Sequence, residues 1–174
     1  MRIRATLLTA SIAVSLLACA RPAPPAASTI RDPADVTSSS PVAPSGPKTA
    51  QSGATLDIET ASGTASYTVG NWRVVPVAAQ IIPAKGVMYS VDVRITADSG
   101  TVPINGFYFA ARVADGSTIA PAVGAVRPGI TYGQLAAGQS AEGHVAFDFP
   151  PGTAVTGVVL RDPAGKSLAL WTVS

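Results

Sequence analysis

A chain of 174 residues with a single cysteine and a single histidine has little from which to build a metal centre or a covalent scaffold. Zinc and copper centres need several nitrogen or sulfur ligands, and a disulfide needs two cysteines. No Asp-x-Asp run points to a calcium loop. No phosphate-cradling glycine loop occurs, and there is no Gly-x-Ser-x-Gly nucleophile elbow. No metal and no cofactor are therefore expected. Charge is scarce as well: from Thr55 onward there are 7 basic and 8 acidic residues. A near-neutral domain without a basic stripe excludes nucleic acid as an expected partner. No ten-residue stretch shows a capped helical period, so a helical fold is not expected either.

What is present begins with an export signal. Arg2 and Arg4 precede an apolar run from Ala5 to Ala18, and the small residues Ala18 and Ala20 flank Cys19. These are the zones of a secretory signal peptide. The run of 14 residues covers roughly 21 Å as a helix, short of a bilayer core of about 30 Å. Leu16-Leu17-Ala18-Cys19 resembles the lipobox of bacterial lipoproteins. That resemblance implies cleavage between Ala18 and Cys19 and a diacylglyceryl group on the Cys19 thiol, and two acyl chains hold a protein stably on a membrane. The expected location is the outer side of the cytoplasmic membrane or the cell envelope. Ala20 to Ala54 holds seven prolines in 35 residues, too few large apolar groups to offset the entropy of ordering. As a coil it reaches roughly 30–35 Å. The expected layout is a signal peptide over 1–18, a lipidated cysteine and tether over 19–54, and one folded domain over 55–174.

In that domain the pattern has period two. Val87, Tyr89, Val91, Val93 and Ile95 alternate with more polar neighbours, as in a half-buried antiparallel strand. Phe107 to Val113 alternates likewise and ends at Asp115-Gly116, a hairpin-type turn. Val145, Phe147 and Phe149 form a third such strand, stopped by Pro150-Pro151. Weaker strands read at Leu56–Thr60, Tyr67–Val77, Thr118–Val123, Val155–Arg161 and Leu168–Val173, the last two joined by the turn sequence Asp162-Pro163-Ala164-Gly165. Seven or eight short strands predict an all-β antiparallel sandwich, with a closed barrel as the alternative.

Several pieces, in order, resemble the actinobacterial secreted antigen family typified by the mycobacterial MPT/MPB "sixty-three" immunogenic proteins. They are Gly70-Asn71-Trp72, Phe109-Ala-Ala-Arg112-Val-Ala-Asp115-Gly116, Gly138 followed by Gly143, Phe147 and Asp148, and Leu168-Ala-Leu-Trp171. The resemblance spans about Leu56 to Val173. It implies an immunoglobulin-like sandwich exposed at the cell envelope and no established activity. Here a lipobox and tether are added, and Asn71 splits the family's Gly-Trp pair.

His144 is the one ready general base. Asp148 follows on the same strand face, but four residues of strand separate them by roughly 13 Å, and Ser140 is near only in sequence. His144 is expected as a solvated strand residue, and the chain as no enzyme. Met88 is expected to fill a gap or lie on the surface rather than bind copper. Gly138 and Gly143 are expected to permit turns or a bulge. Asp92, Arg94 and Arg112 are expected on a polar face beside an outward Tyr108, a composition suited to an interface with another envelope or host protein. The rival expectation is a carrier of a small apolar ligand between the sheets, lined by Trp72, Phe107 and Phe147.

Overall fold

The structure, a computed structural model, describes residues 46–173. The signal peptide, the Ala18–Cys19 cleavage point and the lipid site lie outside the described residues, as does nearly all of the tether.

Ten strands follow in order: β1 (Lys48–Gln51), β2 (Thr55–Thr60), β3 (Gly63–Val74), β4 (Val87–Ile104), β5 (Phe109–Val113), β6 (Thr118–Ile119), β7 (Gly133–Ala136), β8 (Ser140–Phe149), β9 (Val155–Arg161) and β10 (Ser167–Thr172). They make two sheets. One runs β1-β10-β9-β5-β6; the other runs β2-β3-β4, with β8 and β7 both pairing with the long β4. Every pairing of these strands is antiparallel except β1 with β10.

Alternation decides which side chains meet between the sheets. Ala65, Tyr67 and Val69 of β3, Val91, Val93 and Ile95 of β4, and Val145, Phe147 and Phe149 of β8 face inward. Opposite them lie Phe109, Ala111 and Val113 of β5, Val158 and Leu160 of β9, and Ala169 and Trp171 of β10. Trp171 is buried with its indole N–H donating to the Ala54 carbonyl at 2.8 Å, so its polar edge is satisfied. A second, smaller cluster forms on the outer face of the β3–β4–β8 sheet, where Val75, Met88, Ala125, Val126 and Ala146 pack together. The segment around residues 122–130 folds over that face and buries Met88, which fills the gap there.

The all-β sandwich read from the alternation is borne out; the count of strands and some boundaries are not. The sandwich starts at Lys48 rather than Thr55. β1 falls in the stretch expected as tether because its exposed Lys, Thr and Gln carry no apolar alternation, and its place comes from backbone pairing with β10. β6 is only two residues long, and β7 pairs only with the far end of β4. Phe107 does not belong to a strand. The Asn105 side chain accepts from the Phe107 N–H at 3.0 Å and starts a 3-10 turn over Gly106–Tyr108, which leaves Phe107 65% exposed.

Candidate functional site

The strongest polar constellation among the described residues lies on the outer face of the β3–β4–β8 sheet. It begins with a bulge. From Ala65↔Ala97 to Gly70↔Asp92 β3 pairs regularly with β4, and the register then shifts before Arg73↔Ser90. At the shift Asn71 takes φ +53°, a left-handed conformation that asparagine tolerates better than most residues. Bulges re-aim side chains. Here Asn71 donates through Nδ2 to Asp92 Oδ2 at 2.7 Å, and Arg73 Nη2 stands 2.7 Å from Asp92 Oδ1. From the other side β8 pairs Asp92 directly with His144, whose Nδ1 is also 2.7 Å from Asp92 Oδ1. Both contacts to Oδ1 are close but off hydrogen-bond alignment, so this oxygen is sealed from solvent and held by charge rather than by a linear bond.

Neighbouring backbone narrows the site. The segment 128–130 runs along β8: the His144 N–H donates to the Pro128 carbonyl at 2.8 Å, and the Ile130 N–H to the His144 carbonyl at 3.1 Å. A Cβ on Gly143 would stand 2.9 Å from the Gly129 carbonyl carbon, and one on Gly70 would stand 2.8 Å from the Gly53 nitrogen. Both positions therefore need glycine for close approach. Gly138, with φ +82°, serves a turn instead. The result is a groove of about 490 Å³ with Gly53, Asn71, Asp92, Arg94, Glu142 and His144 among its walls.

Burial would raise the Asp92 carboxyl. The contacts from Arg73 and Asn71 and the charges of Arg73 and His144 outweigh it and hold the group below the usual carboxylate range. His144 Nδ1 lies 2.7 Å from Asp92 Oδ1 and 3.3 Å from Arg73 Nη2, so a protonated Nδ1 serves the carboxylate and an unprotonated one accepts from the guanidinium. Arg94 pairs with Glu142 at 3.0 Å along the same face. The groove thus offers donors and acceptors with its charges already paired. Among the described residues the contacts of the His144 ring are with Arg73 and Asp92, and none is with a hydroxyl. Likewise no three His, Cys, Asp or Glu side chains gather there as metal ligands.

The residues singled out from the sequence are thereby sorted. Asp92 and Arg94 do share a face, but each pairs across strands and not with the other. Arg112 is exposed on β5 in the opposite sheet, so the four expected interface residues do not converge. Tyr108 is half-buried against the core rather than outward. Asp148 accepts from the Lys85 and Gly86 N–H groups at 2.7 and 3.0 Å and pins the loop before β4. Ser140 bonds Thr96 at 2.9 Å. Trp72 and Phe147 stack on each other with ring centres 6.0 Å apart, and Trp72 on Tyr89 at 5.3 Å. With Phe107 at the surface, the apolar cavity expected from Trp72, Phe107 and Phe147 is replaced by packed rings. No motif in the sequence marks Asn71 and Arg73 as site residues; the split Gly-Trp pair is the available signal of the bulge.

Two solved structures share this architecture. The secreted protein MPT63 of Mycobacterium tuberculosis superposes with a TM-score of 0.63 at 21% identity, over 73% of this chain and 98% of that one. A sandwich of this kind is therefore almost the whole of a folded protein. The YjhA protein of Bacillus subtilis matches with a TM-score of 0.50 at 15% identity, over 67% of this chain and 84% of that one. No curated protein matches the sequence. The family model described as "Domain of unknown function (DUF1942)" matches residues 47–171, nearly the whole described region, and the resemblance to the MPT63-like antigens read from short motifs is borne out: the chain belongs to this family.

Proposed function

We propose that the chain is an exported lipoprotein, anchored through Cys19, whose sandwich is a non-enzymatic module that binds another envelope or host protein at the groove around His144. The observation that carries the choice of surface is the convergence of Asn71, Arg73, Asp92 and His144 from three strands onto one face. A bulge and two close glycines hold that polar set in place, at a cost in regular pairing that packing alone does not require. Paired charges on a rigid sheet confer specificity of partner more than raw affinity. The lipobox, the proline-rich tether and the likeness to a secreted protein support the location.

Photo-crosslinking in the native cell tests this. A crosslinkable residue at Arg94 is expected to capture a discrete partner that the same residue at Arg112, on the opposite sheet, does not. Charge reversal at Glu142 should weaken the capture at least several-fold. Equal labelling from both faces, or capture from Arg112 alone, overturns the choice of surface.

A further inference from the structure

A second concavity lies between the β2–β3 turn and the β9–β10 turn. It measures about 380 Å³, within the range of small-molecule sites. Its walls include Tyr67, Pro103, Tyr108, Leu160 and Leu168. Tyr67 and Leu160 belong to the buried core, while Tyr108 and Leu168 are half-buried against it. An apolar recess therefore reaches from the surface to the inter-sheet layer.

Two phenols set the recess apart. Tyr67 is 3% exposed, and a tyrosine buried so deeply ordinarily ties its hydroxyl to a protein partner. Among the described residues neither the Tyr67 nor the Tyr108 hydroxyl hydrogen-bonds a protein group, yet neither is sealed in. The side-chain polar atoms shut off from solvent without a partner there are Asp92 Oδ1 and Arg161 Nε. Both phenol oxygens therefore meet open space, and the space that both rings border is this recess. The phenols are near enough to feel each other's charge: burial, and with it the neighbouring Tyr108, pushes Tyr67 up to about 12. Tyr67 thus stays an uncharged donor at physiological pH.

Charge at the rim selects against ions. Glu59 and Lys166 stand exposed there with Asp162 beside them, and one Asp162 oxygen is taken by the Lys166 N–H at 2.8 Å. The Arg161 guanidinium is engaged elsewhere: its Nη2 donates to Thr118 Oγ1 at 2.9 Å, and Thr118 does not border the recess. The two carboxylates repel an anion, and Lys166 repels a cation. Two unpartnered O–H donors in an apolar recess match a neutral acceptor oxygen. We infer that this cleft binds a small neutral apolar molecule bearing a carbonyl, a ketone or an ester, its body against Leu160 and Leu168 and its oxygen accepting from Tyr67 and Tyr108. The site is separate from the His144 groove and does not depend on that surface having a partner.

Titration of the 46–174 domain with 4-phenyl-2-butanone, followed through backbone amide shifts by NMR, tests it against butylbenzene, 4-phenylbutyrate and 4-phenylbutylamine. The ketone is expected to bind saturably, shifting amides around residues 59–67 and 160–168, with an affinity roughly tenfold above each of the other three. Tyr67→Phe combined with Tyr108→Phe should bring the ketone down to the level of butylbenzene. Because those hydroxyls bond no protein group, the double variant should keep the wild-type melting temperature, so a lost preference reads as a lost contact with the ligand oxygen. His144→Ala should leave the titration unaltered, which separates this site from the groove. Absence of saturable binding overturns the inference, as does a preference for the acid or the amine, or a ketone preference that survives the loss of both hydroxyls.

Discussion

At the scale of single residues, Asp92 organises the groove. Its carboxyl is held below the ordinary value of 3.8 in the folded chain. Its contribution to stability is therefore complete above that ordinary value and is lost as the pH falls through the lower folded one. Asp92 and Arg73 are both more than one-third exposed, and solvent screens the pair, so the contribution is about 0.5–1 kcal/mol. Asp92→Asn should lower stability by that amount in urea unfolding at pH 7, with the difference from wild type closing below the carboxylate range. A gap that persists in acid would assign the loss to packing instead. His144 and Asp148 were legible in the sequence as members of one strand face too far apart to interact, and the structure keeps them apart. Asp92 as the partner of His144 was not legible, because the register between β4 and β8 depends on turns and core contacts far along the chain. Asn71 was legible only as an interruption, and its left-handed backbone is what makes the interruption a bulge.

At the scale of elements, the outer face of the second sheet depends on two segments that sequence patterning treats as loops. Residues 122–130 lie against β8 so closely that Gly143 has no space for a side chain. Gly143→Ala should push the Gly129 backbone away and lower stability by about 1–3 kcal/mol, read from denaturant midpoints. Within the loop from Pro76 to Gly86 one glutamine bridges the backbone: Gln80 Nε2 donates to the Val75 carbonyl at 3.0 Å, and its Oε1 accepts from the Ala84 N–H at 3.0 Å. Gln80→Ala should cost about 1 kcal/mol and speed hydrogen exchange at Ala84, while exchange in β4 stays slow. The long alternating strands were legible because one face of each is buried. β1 and β6 were not, because short edge strands are chosen by the partner they pair with and carry little pattern of their own.

At the scale of the whole molecule, the missing cysteines leave packing alone to hold the sandwich. Phe147 is fully buried and stacks with Trp72, so Phe147→Ala should cost about 3–5 kcal/mol, visible as a large fall in melting temperature. Because the described core contains no cysteine, Cys19→Ser should move the protein from the membrane fraction to the soluble one without changing the unfolding curve of the domain. A variant that stays with membranes would refute lipid anchoring. The fold class was readable from alternation and turn sequences. The groove was not, since it assembles from β3, β4 and β8, which a linear reading cannot bring together.

The parallel pairing of β1 with β10 also has a mechanical meaning. Lys48 pairs with Ala169 and Gln51 with Thr172, and two residues later Gly53 lines the groove. A partner gripping the groove while the chain ahead of Lys48 is held at a surface would set up tension along the axis of β1. Ladder bonds that run across a strand then share such a load in shear, whereas a pull from the side would break them one after another. Under such a load the shortest of the terminal strands would carry the traction, and its pairing direction would spread it over the whole ladder.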